Sequence, residues 1–175
     1  AYTNQDKTFY YQVLPSNRLE LGLWLESERM LHLKIDSIGI ETQRKVVKEE
    51  RKQSIDNKPY GSLFEETFKR AFKVHPYKWT TIGSTQYIDK ATIDEFTEFY
   101  KTYYVPDNAI LSIAGDIDIS QTKKLITKYF ATIPSGKIKF TRPLKNEPKL
   151  SKEIRDIVYD KIQLPLVVLA YRIPE

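Results

Sequence analysis

The chemistry legible in this chain is concentrated on one charged helix. The run from Ile40 to Arg51, Ile-Glu-Thr-Gln-Arg-Lys-Val-Val-Lys-Glu-Glu-Arg, has the charge density of a solvated surface. Yet Ile40, Gln43, Val47 and Glu50 recur at i, i+3, i+7 and i+10, so a single stripe carries two apolar side chains, an amide and a carboxylate. A carboxylate on an inward stripe costs free energy unless something pairs with it. A metal ion is one such partner, and a neighbouring cation such as Arg51 or Lys48 is another. Glu49 is the adjacent carboxylate, about a quarter turn or more off the stripe.

The elements that must position this helix follow from periodicity and punctuation. Thr8 to Val13 alternates and is rich in aromatic and β-branched residues, which predicts a strand, with Ala1, Tyr2 and Thr3 pairing across a turn at residues 4–7. Asn17 to Glu20 has capping spacing for a helix reaching Leu31, with Leu21, Trp24, Leu25 and Glu28 on one side. The Glu50 helix is expected from about Ile38 to Ile55, and Asp56-Asn57-Lys58-Pro59-Tyr60-Gly61 is a loop. Capping boxes at Ser62–Glu65 and Thr92–Glu95 open two further helices, the second carrying Phe96, Phe99, Tyr100 and Tyr103. A strand over Ala109–Ala114, a helix capped by Asp118, a connector rich in Lys, Pro and Asn, and strands over Ile154–Asp160 and Leu164–Tyr171 complete the chain. The expected organisation is one α+β domain over 1–136, a connector over 137–152, and strands over 153–175 that close the domain or begin the next part of the fold.

Composition narrows the function classes. The 175 residues carry a formal net charge of +5 and contain no Cys, which excludes disulfide staples and thiolate metal sites. No apolar run approaches a membrane span. Twelve Tyr and eight Phe could stack on bases, but the lysines are interleaved with Glu and Asp and no basic block stands out. A mixed-charge surface is the better reading, with no nucleic-acid partner expected. Both ends fall inside expected strands and the first residue is Ala1, which points to an excised piece of a longer polypeptide and leaves localisation unreadable.

An ordered series of short words resembles a domain of the pitrilysin/insulinase family of zinc peptidases. The series runs through Ala1-Tyr2-Thr3, Asp6 to Tyr10, Leu23 to Met30, Gln43 to Arg51, Asp56 to Gly61, His75-Pro76-Tyr77, Ile82-Gly83-Ser84, Tyr103 to Ala109 and Ile113 to Asp116. The resemblance implies a layered sheet-and-helix domain of the processing-peptidase (inverted zinc peptidase) type, two copies of which pack as halves of a chamber. It implies Zn²⁺ held by two His of an H-x-x-E-H helix and one downstream Glu, the motif's own Glu serving as general base. On the Arg44 spacing, the downstream ligand carries over to Glu50. Gln43 stands where many active relatives have a second Glu, as a polar neighbour of the zinc site that cannot hold a negative charge. Ala1, Tyr2 and Thr3 correspond to the end of the edge strand to which a peptide substrate adds.

The departures bear on activity. H-x-x-E-H is absent, and the two histidines, His32 and His75, are far apart. His75 is of a metal-ligating type, but a lone His in a His-Pro-Tyr loop is read as satisfying a loop hydrogen bond. This chain therefore supplies one zinc ligand at most and no catalytic residue, the general base being expected upstream. The parent is expected to be a zinc-dependent metalloendopeptidase acting on extended peptides, working with a second homologous half or subunit. The alternative is a non-catalytic, chamber-forming subunit, and a basic nucleic-acid-binding module is the remote one.

Overall fold

A computed structural model describes residues 1–136 and 146–173. The chain is helix-rich there: β1 (Tyr2–Thr3) and β2 (Thr8–Phe9) are followed by α1 (Leu19–Leu31), α2 (Ser37–Arg51), α3 (Leu63–Ala71), α4 (Thr85–Lys90), α5 (Ile93–Tyr103) and α6 (Ile119–Phe130). Short 3-10 turns lie at Ser16–Arg18, Pro76–Lys78 and Pro106–Asn108. β1 and β2 pair across a turn in which the Asn4 side-chain oxygen accepts the N–H groups of Asp6 and Lys7, at 2.9 and 3.0 Å. The ladder stops at Phe9 rather than Val13. The described residues form two compact units, one of residues 9–40 and 91–136, the other of 2–8, 41–90 and 146–173.

In the first unit α1 packs on α6, and Leu23, Val105 and Ile133 are the buried hydrophobic residues. The buried face of α1 is Gly22, Leu23 and Ser27, whereas Leu21, Trp24 and Leu25 are each more than a third exposed. The stripe of large apolar residues is therefore not the inward one. Leu23 is the large apolar residue of the buried face, and Gly22 admits Leu14, whose Cδ1 a Cβ there would meet at 2.9 Å. The buried hydroxyls are satisfied locally, Ser27 donating to the Trp24 carbonyl at 2.8 Å and Thr122 to the Asp118 carbonyl at 2.6 Å. Asn17 does not cap α1, because the preceding 3-10 turn, closed by Arg18 N–H on the Pro15 carbonyl at 2.8 Å, leads directly into the helix.

The other two caps in this unit form as the spacing predicts. Thr92 and Glu95 make a reciprocal capping box at the start of α5, and the Asp118 carboxylate accepts the Gln121 N–H at 2.6 Å at the start of α6. A tyrosine cluster ties α1 to α5: the Tyr10 and Tyr104 hydroxyls lie 2.5 Å apart and Tyr100 donates to the Arg29 carbonyl at 2.8 Å. The Arg29 guanidinium sits 4.0 Å from the centre of the Tyr10 ring. Burial, with the Tyr10 hydroxyl adding to it, pushes the Tyr104 hydroxyl up to about 12.

In the second unit α3 packs on the Pro76–Lys78 turn. Its first turn departs from the expected capping box: Ser62 is in the helical region with no side-chain cap bond. Glu65 instead receives the Arg51 guanidinium at 3.0 Å, and a charge-assisted pair outcompetes the weaker return to a backbone N–H. The expected strands over 109–114, 154–160 and 164–171 make no ladder among the described residues. Their apolar side chains are open to solvent, Ile110 at 95% and Val167 at 84%. An extended apolar segment becomes a strand only when another backbone meets its N–H and C=O groups.

Candidate functional site

Glu50 lies in the last turn of α2, exposed, and its carboxylate has no hydrogen-bond or ion-pair partner among the described residues. The charges around it are engaged elsewhere. Lys48 Nζ reaches Asp89 Oδ1 at 2.7 Å, and Arg51 is bound to Glu65, Asp56 and the Gly83 carbonyl. Glu49 is held by Lys52 at 3.5 Å and by the Gln53 side-chain amide at 3.4 Å. Of the two adjacent carboxylates, the one on the predicted stripe is free and the other is paired. Gln43 is exposed as well, while Ile40 and Val47 are half-buried. The stripe is thus inward only at its apolar positions. Its polar members are open because no described residue covers them.

Past Glu50 the helix changes character. Lys52–Asp56 is a π-helical turn, closed by Asn57 N–H on the Lys52 carbonyl at 2.8 Å. The loop then folds tightly back: Tyr60 has φ 58°, and a Cβ on Gly61 would collide with the Ile55 carbonyl. Gly61 is required by that close approach. Arg51 fastens this end of the helix at three points. Its guanidinium donates to the Gly83 carbonyl at 2.6 Å and to Glu65 at 3.0 Å, and its Nε lies 3.3 Å from Asp56. Its side chain is 12% exposed. An open hollow of about 260 Å³ beside it is lined by Asp56, Glu65, Glu66 and Asp160, with Arg51 the cation among the lining residues.

A second anchor joins α3 to the C-terminal segment. The Glu147 carboxylate accepts the backbone N–H groups of Lys73, Val74 and His75 at 2.6, 2.9 and 2.7 Å, and Arg172 lies 3.7 Å away. Burial works to raise this carboxyl, but the three N–H donors and the Arg172 charge outweigh it and hold the group at about 2. Arg70 binds Asp156 at 2.7 Å and the Tyr60 hydroxyl donates to the Leu164 carbonyl at 2.6 Å, extending the same seam. Glu147 sits in what the composition marks as a connector, and no local signal announces its role, since its three backbone N–H partners are more than seventy positions away. The Arg51 tripod was equally hidden behind the capping-box spacing of Glu65.

The remaining predicted site residues are placed as follows. Ala1 is exposed, and Tyr2 and Thr3 form β1, whose ladder with β2 gains no third strand among the described residues. His75 Nδ1 accepts the Tyr77 N–H at 3.2 Å and its ring packs on Tyr77 with centroids 4.4 Å apart, so it is a loop-ordering residue. No three His, Cys, Asp or Glu side chains among the described residues form a group that could hold a metal ion. A complete zinc site does not fit these residues. Glu50 fits as one oxygen donor of such a site.

Comparison with known proteins bears on the family. The chain is 32% identical to the zinc protease PqqE of Helicobacter pylori, the match covering 99% of this chain and 40% of that protein. A family model described as the Peptidase M16 inactive domain matches residues 90–175. The chain belongs to the pitrilysin/insulinase family of zinc peptidases. Another relative, a probable mitochondrial-processing peptidase subunit beta of Schizosaccharomyces pombe, is 26% identical over 74% of this chain and 28% of its own length. The fold is similar to the crystal structure of a protease from Helicobacter pylori, with a TM-score of 0.71 and 32% identity over 75% of this chain and 32% of that one. This pitrilysin-family chain thus spans 40% or less of the length of each of these relatives. The M16 inactive-domain match begins downstream of α2, so the helix bearing Glu50 lies outside it. No helix among the described residues is long and apolar enough to cross a membrane.

Proposed function

We propose that the whole protein is a zinc-dependent endopeptidase of extended peptides, to which this chain contributes the Glu50 ligand. The supporting observation is the free Glu50 carboxylate at the end of α2, flanked by Glu49, Lys48, Arg51 and Lys52 that are all engaged with other groups, in a chain similar to zinc proteases. Asp94, Glu98 and Asp107 are exposed carboxylates as well, so openness alone does not single out Glu50; its register on α2 and the likeness to zinc proteases do. Zinc, when bound, supplies Lewis-acid polarisation of a carbonyl and a water of lowered pKa. The chain's own residues hold one oxygen donor in place and set no proton in motion, since no general base is present in the sequence. Gln43 serves as a neutral hydrogen-bonding neighbour of that site. Ala1, Tyr2 and Thr3 provide backbone at a sheet edge for peptide addition. Residues 109–114, 154–160 and 164–171, apolar and without a ladder here, act as strands of a layered sheet-and-helix domain completed by the rest of the protein, and a second homologous half or subunit encloses the substrate.

The test is zinc content, measured by elemental analysis on the intact protein and its Glu50→Ala variant, together with hydrolysis of an unfolded peptide. About one zinc per chain, lost in the variant along with activity, is the expected result. An intact protein that binds no zinc and cleaves nothing is the chamber-forming subunit instead, a reading favoured by the neutral Gln43.

A further inference from the structure

We infer that Tyr77 is a positioning residue for peptide binding: through Asp6 it pins the turn of the β1–β2 hairpin and so holds out the backbone edge at Thr3. The inference rests on the proposed role of Ala1, Tyr2 and Thr3 as a substrate edge. The Asn4 N–H donates to the Lys7 carbonyl at 3.0 Å, which makes residues 4 and 7 a hydrogen-bonded pair. The next pair, Thr3 opposite Thr8, is then of the non-hydrogen-bonded kind, and its two hydroxyls lie 3.2 Å apart on one face. In such a pair the backbone N–H and C=O point away from the partner strand. Thr3 therefore presents one donor and one acceptor to the side of β1 on which no third strand lies among the described residues. An extended peptide adds to groups of that kind.

A hairpin this short does not hold that edge by itself. Its strands are two residues each, residues 1–9 are all exposed, and an isolated two-stranded ribbon is marginal in water. An edge that must be ordered at the moment of binding loses affinity to that ordering. Tyr77 supplies order from outside the hairpin: its hydroxyl donates to Asp6 Oδ1 at 2.5 Å, in the turn that the Asn4 side chain also closes. Tyr77 is itself fixed. Its N–H donates to His75 Nδ1 at 3.2 Å, and its ring meets the His75 and Phe72 rings edge-on, with centroids 4.4 and 5.7 Å apart. Pro76 opens the 3-10 turn that carries it with a fixed φ. The N–H groups of residues 73–75 are in turn held by Glu147. His75-Pro76-Tyr77 thus forms a post at the end of α3, in the same compact unit as residues 2–8, and its hydroxyl reaches the hairpin.

The experiment is binding of a fluorescein-labelled, unstructured peptide to the full-length protein, followed by anisotropy well below the melting temperature. EDTA is present so that no cleavage intervenes. Thr3→Pro deletes the outward N–H without touching the ladder to β2, and is expected to weaken binding about 10-fold or more. Tyr77→Phe keeps the ring and removes the hydroxyl, and a loss of about 3- to 10-fold is expected, the scale of one hydrogen bond. Asp6→Ala should match it, and the double variant should bind no more weakly than the weaker single, since both cut the same bond. Asp6→Asn keeps an acceptor oxygen and recovers part of the loss. Tyr87→Phe, the same change at an exposed tyrosine of the same unit, leaves binding unchanged. A merely structural hydroxyl would lower the folded fraction, hence the amplitude of the binding curve, and leave the dissociation constant where it was. Unchanged constants in Tyr77→Phe and Asp6→Ala, with binding weakened in Thr3→Pro, overturn the positioning role alone. So do additive losses in the double variant, or an equal loss in Tyr87→Phe. If Tyr77→Phe does not fold, the two Asp6 variants decide in its place. Binding unaffected by Thr3→Pro, or a wild type that binds no peptide, overturns the edge reading and this inference with it.

Discussion

Two carboxylates in the same unit of this chain show opposite uses of charge. Glu147 is saturated: three backbone N–H groups from residues 73–75 and the Arg172 guanidinium surround it. Glu50 has no partner among the described residues, although cations stand at positions 48, 51 and 52. A carboxylate that accepts several N–H bonds has its charge committed to the fold. One left bare at the end of a helix does nothing for stability and is available to a ligand. The contrast is one of donors: those around Glu147 are spent on the fold, and none of the described residues spends one on Glu50.

The largest expected effect lies at the saturated end. Glu147→Gln keeps one oxygen but turns an NH2 group toward backbone N–H donors, so at least one close contact becomes donor against donor. The melting temperature at pH 7 should fall by about 5 °C or more, measured by circular dichroism. A fall of less than about 1 °C would show that the N–H cluster is incidental and would erase the contrast with Glu50. The pH dependence sharpens the same point. The folded carboxyl is held at about 2, below its ordinary 4.5, so its contribution is complete above 4.5 and vanishes as pH falls through about 2. The gap between wild type and Glu147→Gln should therefore be flat from neutral pH down to about 5 and then narrow steadily. A gap that grows on acidification would contradict the assignment.

Between the two extremes stands Glu95, which accepts the Thr92 N–H at 2.7 Å and the Thr92 hydroxyl at 3.0 Å in the capping box of α5. Those bonds hold its carboxyl below the usual range. Thr92→Ala removes the hydroxyl half of the box and should cost about 1 kcal/mol, read from a urea melt as a shift in midpoint without a change in slope. An effect as large as that of Glu147→Gln would mean that donor count does not rank these carboxylates.

How much of this was legible in the sequence depends on how local the physics is. The Thr92 box, the Asp118 cap and the Asn4 turn were readable because each involves residues two or three positions apart. Ser62–Glu65 had the same spacing and failed, since Arg51, fourteen positions away from Glu65, offered a stronger partner. The α1 stripe misled for a related reason: Leu21, Trp24 and Leu25 mark one face, but the buried face carries Gly22, Leu23 and Ser27. Glu50 could be singled out from its helical register and the family words around it. That it would be exposed could not, because burial of a stripe depends on what covers it. Glu147 and Arg172 were beyond reach, one in a run of Lys, Pro and Asn and the other among exposed apolar residues.

The smallest expected effect is the most informative about the bare carboxylate. Glu50→Gln in zinc-free protein should leave the melting temperature within about 1 °C of wild type, because no hydrogen bond or ion pair is lost. The helix runs on through the π-helical turn of Lys52–Asp56, so Glu50 lies more than a turn from its end and the helix dipole adds little. Glu49→Gln, by contrast, removes the Lys52 pair and weakens the Gln53 contact, both exposed, and should cost on the order of 0.3 kcal/mol. The two variants differ by one position and carry the same chemical change, so the difference between them would isolate the pairing itself. A clear loss of stability in zinc-free Glu50→Gln would show that this carboxylate is committed to the fold after all.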